Sequence, residues 1–577
     1  MEGQVLDVTR YYAGASLMLP ELLLGFGAAI LLVFEAFAKP VKTVRRPAAF
    51  AAALLVGALV LSLLGAGERA TVFSGMVVLD PFVDFFRVFS CLAGLLGILV
   101  SLKSDEIEVA TSGEYYSMFV ALVLGMILMA SASDLAMMFI AVELVSLMSY
   151  VLAGFRKHDR KGAEAALKYV IYGGAASGVM VFGFSLLYGI TGQTQLSLIN
   201  TEVMRFASEA AVVSLGDLNK LASMPPALTA GMILAFSGFA YKIAAVPLHM
   251  WSPDVYEGAP TPFTAFLSTG PKAAGFAVLL RFFVVGFSDQ ASFANNLLVD
   301  ISTLPWLVLV IVVSIATMTL GNLAAIGQSN IKRFLAYSSI AHAGYALIGL
   351  AAFSRTGAAS VLLYMTVYLV MNIGSFYVVI WVRDKTGSEL IEDYKGMGTR
   401  NPFVCIVLTL CFVSLTGLPP LAGFIAKYKL FAAALERAFD FEPLARCAPD
   451  VVANMGMMAK ANCALSGSGL FYALGIAAVV NSAISLYYYF RVVRKMFLEK
   501  PDDPTPIPTD GMAKLVLVPV TVLLFFFGLF PDSLERATVA AIEFQRPTIA
   551  EIEKLPTPSL PGEVEPAAAK AAQASAE

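Results

Sequence analysis

The chain has 577 residues, of which 58% are hydrophobic and only 14% are charged, and its formal net charge at pH 7 is −3. An average soluble domain carries about 25% charged residues, so this composition excludes an ordinary soluble protein. The small net charge gives no reason to expect a nucleic acid or a strongly anionic partner.

Charge-free apolar segments recur along the chain, and about 20 such residues are enough for a helix to cross a bilayer. The segments lack the alternation of outer-membrane strands, which predicts an all-α membrane protein with about fourteen transmembrane helices. In chain order the predicted spans are 17–38, 47–67, 81–102, 114–131, 133–154, 164–191, 227–253, 260–287, 305–327, 331–351, 359–383, 402–437, 468–497 and 512–531. No basic segment or small-residue cleavage site accompanies the first span, so we expect it to be retained.

Lys and Arg residues outside the spans are concentrated in the odd-numbered connections. These include VKTVRR at 41–46, RKHDRK at 156–161 and RVVRK at 491–495. Basic connections face the cytoplasm in membrane proteins. We therefore expect both termini on the periplasmic side of a bacterial inner membrane, the plasma membrane.

Prolines interrupt two of the predicted spans, one in each half of the chain. Pro247 lies in AVPLH, and Pro419 and Pro420 lie in GLPPLAG. An interior proline removes a backbone hydrogen bond and breaks or kinks a helix. Paired broken helices are typical of inverted-repeat transporters with a polar path at mid-membrane, although Pro and Gly also occur in membrane helices as simple kinks.

Five ionisable residues lie inside the predicted spans, where each costs about 2.5–3.5 kcal/mol even on lenient insertion scales. They are Glu143, Lys168, Lys242, Lys272 and Lys427. Desolvation favours the neutral form of an amine and a nearby carboxylate favours the protonated form, so a Glu–Lys pair that can separate is able to hold and release a proton. Lysines near helix ends can instead extend to the interface, most readily Lys168 and Lys429.

Two histidines add proton-carrying groups to the apolar spans. His249 follows Pro247 at the first break, and His342 lies among small and hydroxyl residues in AYSSIAHAGY. A neutral imidazole carries its proton on either nitrogen, which suits a relay. For His342, a simple hydrogen bond between helices is an equally open alternative.

The sequence gives no sign of a metal or dinucleotide site of its own. The five cysteines include no CxxC, the three histidines are far apart, and no phosphate-binding glycine fingerprint occurs in a strand–helix context. Cys447 and Cys463, in the polar segment 438–467, either pair in an oxidising compartment or remain free thiols. The Ala- and Pro-rich tail at 547–577 is predicted to be disordered.

Four segments resemble the subunit N family of the proton-pumping NADH-quinone oxidoreductase, respiratory complex I or NDH-1. They are KIAAVPLHMWSPDVYEGAPTPFTAFLSTGPKAAGFAVLLR, GNLAAIGQSNIKRFLAYSSIAHAGY, EAALKYVIYGGAASGVMVFGFSLLYGITG and SAISLYYYFRVVRKMF. DVYEGAPTP and YYYFRVV favour subunit N over the antiporter-like subunits L and M. The resemblance implies two inverted five-helix repeats, with broken helices seven and twelve. The implied division is amino-terminal helices at 1–113, repeats at 114–287 and 305–497, a linker at 498–511 and a last helix at 512–531.

The resemblance also implies roles for individual residues. Glu143, Lys168, Lys242, Lys272 and Lys427 match the family's glutamate on helix five and its lysines on helices six, seven, eight and twelve. They would form a lateral hydrated relay that responds to quinone reduction in neighbouring membrane subunits, taking up protons from the cytoplasm and releasing them outside. The chain itself would bind no cofactor, with FMN, iron–sulfur clusters and quinone in partner subunits. A subunit of a multi-subunit cation/proton antiporter and a structural spacer remain alternatives.

Overall fold

The structure is a computed structural model that describes residues 15–37, 44–216, 225–288, 305–440 and 468–544, and these residues are almost entirely helical. The segment 438–467 with Cys447 and Cys463, apart from residues 438–440 at the end of a helix, and the predicted tail at 547–577 lie outside these residues.

A short hairpin connects the second and third of the amino-terminal helices. Its strands pair antiparallel, with Ala70 opposite Leu79. The elements are α1 (Leu19–Phe37), α2 (Arg45–Leu64), β1 (Ala70–Val72), β2 (Val77–Leu79) and α3 (Pro81–Ser101).

The remaining elements are helices α4 to α20. They are α4 (Ser112–Ser131), α5 (Leu135–Ala153), α6 (Arg160–Thr191), α7 (Leu196–Gly216), α8 (Pro226–Lys242), α9 (Trp251–Gly258), α10 (Thr261–Leu267), α11 (Gly270–Phe287), α12 (Pro305–Ile326), α13 (Ile331–Ala352), α14 (Arg355–Thr386), α15 (Met397–Arg400), α16 (Pro402–Thr416), α17 (Ala422–Asp440), α18 (Ser468–Leu498), α19 (Gly511–Leu529) and α20 (Asp532–Ala541).

Within the described ranges, twelve helices are long and apolar enough to cross a membrane, which confirms the prediction of a multi-pass α-helical membrane protein. The two predicted spans not among the twelve are 227–253 and 402–437, and both are broken. The first is divided into α8 and α9, and the second into α16 and α17. The count of fourteen helices and the inverted repeats stay predictions.

Hydrogen bonds that involve the side chains of Thr317 and Trp251 stabilise the first break, residues 243–250. The backbone nitrogen of Val246 donates to Thr317 Oγ1 of α12 at 3.0 Å, and Trp251 Nε1 donates to the carbonyl of Tyr241 at 3.1 Å. Backbone amides and carbonyls that a continuous helix would pair internally are therefore hydrogen-bonded at the break. They need such partners because the membrane interior offers no water to bind them.

The second break begins where Gly417 leaves the helical conformation. Its φ of 88° lies in the left-handed region that favours glycine. The backbone nitrogen of Gly423 then donates to Ser414 Oγ at 3.0 Å, which ties the start of α17 to the end of α16. Both breaks contain the prolines from which they were predicted.

Short polar side chains cap the amino-terminal ends of several helices. Asp80, Ser354 and Asp510 accept hydrogen bonds from the backbone nitrogens of Val83, Gly357 and Ala513 at 3.0, 3.0 and 2.9 Å. Such caps satisfy amides that the first turn of a helix leaves without partners.

A fully buried ion pair joins the second half of α11 to the start of α3. Arg281 donates from Nη1 and Nη2 to the two carboxylate oxygens of Asp80 at 3.0 and 2.9 Å, and from Nε to the carbonyl of Ala130 at 2.6 Å. Both side chains have zero exposure. The bidentate geometry and the third hydrogen bond compensate the loss of water around both charges.

We predict that Arg281→Met strongly destabilises the fold, because it leaves the Asp80 carboxylate buried without its guanidinium. The expected loss is about 3–5 kcal/mol, measured as thermal unfolding in mild detergent. Lys103→Met is the matched control, since Lys103 pairs with Asp510 with 53% of its side chain exposed, and such a pair contributes about 0–1 kcal/mol. Equal melting temperatures for the two variants would contradict the prediction.

Candidate functional site

Lys242 is the last residue of α8 and is only 4% exposed. Its Nζ donates to Ser146 Oγ of α5 at 3.1 Å. Because the carboxyl end of a helix carries partial negative charge, this position stabilises the ammonium inside the bundle.

Glu143 lies on α5 three residues before Ser146 and therefore on the same side of that helix. Its carboxylate accepts a hydrogen bond from the hydroxyl of Ser177 on α6. Within the part of the chain that the structure describes, no ion pair within 4.0 Å joins Glu143 to Lys242, although Lys242 binds Ser146, which lies one turn along α5 from Glu143. The two groups are thus neighbours whose first hydrogen-bond partners are hydroxyls.

Lys272 lies near the start of α11 and is 2% exposed. Its Nζ donates to the carbonyl of Ser339 at 2.6 Å and to Ser339 Oγ at 2.5 Å, both on α13. One turn further along α11, Gly275 faces the stem of Lys242, since a Cβ added there would lie 3.5 Å from Lys242 Cγ. The absence of a side chain at Gly275 therefore lets the two lysine-bearing helices approach closely.

His342 is 1% exposed and is hydrogen-bonded through both ring nitrogens. Its Nδ1 pairs with the hydroxyl of Tyr364 on α14, and its Nε2 lies 3.2 Å from the hydroxyl of Tyr489 on α18. The Tyr489 hydroxyl also pairs with Ser338, the neighbour of the serine that Lys272 binds. The imidazole therefore links helices and also lies between hydroxyls that can donate or accept a proton.

Lys427 of α17 is 4% exposed and lies against the second break. Its Nζ donates to the carbonyl of Thr416, the last residue of α16, at 2.9 Å, and to Ser482 Oγ of α18 at 3.0 Å. The same nitrogen lies 4.2 Å from the centroid of the Tyr345 ring. A helix-end carbonyl, a hydroxyl and an aromatic face thus stabilise the ammonium without a carboxylate.

His249 lies in the first break and is 4% exposed. Among the described residues its Nδ1 has no hydrogen-bond partner. A buried imidazole nitrogen without a protein partner is a site where water or a proton can bind.

Lys168 is not part of the buried group. Its Nζ pairs with Glu164 at 2.8 Å and with Asp254 of α9 at 2.6 Å, and 37% of its side chain is exposed. Asp254 also pairs with Arg333 of α13. The structure therefore places Lys168 in a partly exposed cluster of charges with Glu164, Asp254 and Arg333. Lys429, paired with Glu535, is likewise partly exposed.

Several partners of the buried charges were not predicted from the sequence. They are Ser146, Ser177, Ser339, Tyr345, Tyr364, Ser482 and Tyr489. All carry a hydroxyl group and lie in otherwise apolar helices. A search for hydroxyl residues near intramembrane charges would have selected SSIAH and YYYF but not the pairings between them.

Glu106, in the connection between α3 and α4, is a second unpredicted charge. Its carboxylate binds Arg156 Nη1 at 2.8 Å and the backbone nitrogen of Thr261, at the start of α10, at 2.7 Å. Burial acts to raise its pKa, but the positive charges of Lys332 and Arg383 and the Thr261 hydrogen bond outweigh this effect and lower the pKa of Glu106. The ionised carboxylate thus joins its own connection to the one that contains Arg156 and to the start of α10.

No group of three or more His, Cys, Asp or Glu side chains able to hold a metal ion occurs among the described residues. The chemistry that the site supports is proton binding and transfer between amines, an imidazole and hydroxyls.

Comparison with known proteins gives one family. A family model described as NADH:quinone oxidoreductase/Mrp antiporter, transmembrane, matches residues 132–445. NADH-quinone oxidoreductase subunit N of Anaeromyxobacter sp. (strain Fw109-5) is 42% identical over 538 residues, which cover 91% of this chain and 96% of that protein.

Two solved structures contain similar chains. One, in respiratory complex I from Thermus thermophilus with bound aureothin, superposes with a TM-score of 0.67 and 27% identity, covering 90% of this chain and 100% of that one. Another, in the Mrp complex from Dietzia sp. DQ12-45-1b, gives a TM-score of 0.70 at 20% identity, covering 91% and 97%. At that identity the second similarity shows the fold alone.

We predict that Glu106→Gln removes a pH-dependent part of the stability. A carboxylate whose pKa is lowered by folding contributes stability above its unfolded pKa and loses it as the pH falls through the folded value. The difference in free energy of unfolding between wild type and variant should thus be largest above about pH 5 and shrink below about pH 4. Thermal melts in detergent across this range measure it, with exposed Glu114→Gln as the control. A difference that does not vary with pH would contradict the assignment.

Proposed function

The chain belongs to the NADH:quinone oxidoreductase/Mrp antiporter transmembrane family, and we propose that its buried amines and histidines form the path by which protons cross the membrane. It is a multi-pass, proton-translocating membrane subunit of NADH-quinone oxidoreductase, a translocase in which it assembles with other membrane subunits.

The observation that carries the proposal is the environment shared by Lys242, Lys272 and Lys427. Each ammonium is at most 4% exposed, and each donates to a serine hydroxyl on another helix. A stable buried cation would be expected to pair with a carboxylate, because desolvation of an unpaired charge is costly. An amine bound by hydroxyls and carbonyls can lose its proton without leaving a buried anion behind.

The contacts that lie between these amines suggest the order in which protons are transferred. Glu143 lies on the same side of α5 as Ser146, the hydrogen-bond partner of Lys242, and Gly275 brings the helix of Lys272 against Lys242. Beyond Lys272, the serine pair 338–339, Tyr489 and His342 continue towards Lys427. Serine and tyrosine hydroxyls each donate one proton and accept others, so a proton can pass by successive exchange along hydrogen bonds, with water filling the longer gaps.

Coupling to electron transfer would act through charge. When a neighbouring subunit's charge changes on quinone reduction, the balance between Glu143 and Lys242 shifts, because their interaction is not fixed by a direct ion pair. Loss of the carboxylate's influence favours release of the Lys242 proton, and that change propagates to the next amine by Coulomb interaction in a medium of low dielectric.

The partner subunits would supply the redox chemistry. FMN, iron–sulfur clusters and quinone belong in those subunits, and this chain would bind none of them. The complex would lie in the bacterial inner membrane, with the basic connections in the cytoplasm and both termini on the periplasmic side.

A cation/proton antiporter subunit is the second candidate, because a chain of the Mrp complex shares the fold. The buried lysines suit either activity. The 42% identity to a subunit N over nearly the whole chain favours the oxidoreductase.

We predict that Lys242→Ala and Glu143→Ala each reduce proton pumping and the coupled quinone reductase rate by about tenfold or more, since a positioned proton-transfer group contributes about 10²–10⁴-fold. The complex should still assemble, because neither residue forms a direct ion pair in the described structure. Dye quenching with NADH in proteoliposomes, with native gels for assembly, measures both effects.

The matched control is Lys514→Ala, which removes an exposed lysine near the start of α19. It should pump at the wild-type rate. An unchanged ratio of protons to electrons in assembled Lys242→Ala and Glu143→Ala complexes would count against their part in the relay.

Purification separates the two candidate functions. In mild detergent the chain should co-isolate with flavin- and iron–sulfur-containing subunits, detected by their absorbance and by mass spectrometry. Isolation without them, together with exchange of Na⁺ for H⁺ in liposomes, would refute the oxidoreductase and support the antiporter.

A further inference from the structure

A cavity of about 250 Å³ lies between α14, α17 and α20, at the end of the bundle where α14 begins. Thr356, in the first turn of α14, and Glu436, near the end of α17, line it, and so does Leu363, about two turns further along α14. The predicted spans begin at residue 359 on α14 and end at residue 437 on α17. The lining therefore reaches from the aqueous boundary into the apolar layer, and a ligand that fills it has to be amphiphilic.

The lining of the cavity changes from polar to apolar in the same direction. The Thr356 hydroxyl and the Glu436 carboxylate lie at the boundary, and Leu363 and the ring of Tyr428 lie further in. Tyr428 is 55% exposed, and the exposed ring of Phe424, one turn closer to the second break, stacks on it with 6.2 Å between the centroids. Exposed apolar side chains at this depth face lipid chains rather than water.

The charged side chains that line the cavity leave one negative charge in excess, since they are Lys429, Glu436 and Glu535. Lys429 pairs with Glu535. Among the described residues Glu436 forms no ion pair within 4.0 Å, and its carboxylate accepts a hydrogen bond from Thr356 Oγ1 at 3.3 Å. A carboxylate accepts several hydrogen bonds, so Glu436 is able to bind a further, cationic donor. The excess charge favours a ligand with an ammonium group over a purely anionic one.

The order of the charged groups along α17 matches the order of groups in a phospholipid. Lys429 and Glu436 are close to two turns apart, which places them on the same side of the helix and about 10 Å apart along its axis. The Lys429 ammonium has three donors and Glu535 takes one of them, so an anionic oxygen can bind to the others. Lys429 lies closer to the middle of the membrane and Glu436 closer to water. A phospholipid of this leaflet likewise has its acyl chains innermost, then its phosphate, then the amine of its head group.

We propose that this cavity binds a phospholipid with a primary amine, phosphatidylethanolamine, with its ammonium on Glu436 and its phosphate on Lys429. Its acyl chains follow Leu363 and Tyr428 towards the middle of the membrane. The inference goes beyond the proposed function and does not depend on it, because it needs only that the chain lies in a membrane.

Photo-crosslinking identifies the lipid at this site. The purified complex is placed in phosphatidylcholine nanodiscs that contain a small share of either phosphatidylethanolamine or phosphatidylglycerol, each with a diazirine near the glycerol, and labelled peptides are mapped by mass spectrometry. Phosphatidylethanolamine should label residues 356–363 and 428–436 about tenfold more than phosphatidylglycerol, because it gains a hydrogen bond to a charged group. Val522 of α19, which is 59% exposed and does not line the cavity, should be labelled equally by both lipids.

Substitutions test the assigned contacts in complexes whose assembly is checked on native gels. Glu436→Gln removes the negative charge and should lower labelling by phosphatidylethanolamine about tenfold. Asp532→Asn is the matched control and should label as wild type does, because Asp532 is an exposed carboxylate at the start of α20 that does not line the cavity. Ala432→Trp fills the cavity and should abolish labelling of both segments by either lipid.

Each part of the proposal has an outcome that overturns it. Equal labelling of the two segments by both lipids would end the preference for an amine, and unchanged labelling in Glu436→Gln would end the role of that carboxylate. Labelling of the segments no stronger than at Val522, or cross-links that place a neighbouring subunit's side chains inside the cavity, would exclude a bound lipid. None of these measurements depends on proton pumping, so their failure leaves the proposed function untouched.

Discussion

The structure depends on bringing the carboxyl end of a helix into the middle of the bundle beside an amine. Lys242 closes α8, and Lys427 binds the carbonyl that closes α16. A continuous transmembrane helix would keep its last carbonyls at the membrane surface. Each break instead moves partial negative charge into the interior, where it offsets part of the desolvation of an ammonium without introducing a fixed anion.

Hydroxyl groups on neighbouring helices add to the stabilisation that the helix ends give to the buried ammonium groups. Ser146, Ser339 and Ser482 accept from the three buried amines. Such contacts need helices that pack closely, and small residues provide this in a bundle: a Cβ added at Gly321 would lie 2.6 Å from the Ala341 nitrogen, so α12 and α13 meet backbone to backbone. The close packing of helices thus serves both the stability of the bundle and the contacts along which protons would be transferred.

Spans, breaks and buried charges could be predicted because they are local properties of the sequence. Apolar length and proline position marked the breaks at Pro247 and Pro419, and the structure has both. The partners of Lys168 could not be predicted in this way, since its pairing with Asp254 depends on how α6 packs against α9. The pair Asp80–Arg281 joins residues 201 apart, and a helix, α7, lies in the connection between the predicted spans 164–191 and 227–253. Neither follows from periodicity, because both depend on which helices become neighbours.

The segment after α20 has a consequence for the order in which the molecule is completed. The Phe544 ring lies 4.7 Å from that of Phe82 and covers the guanidinium of Arg281 at 5.5 Å, while Glu543 pairs with Arg69 near the hairpin. Arg69 therefore completes its packing only against Glu543, 474 positions later in the chain. During translation the start of α3 stays partly uncovered until the ribosome has delivered residues 543 and 544.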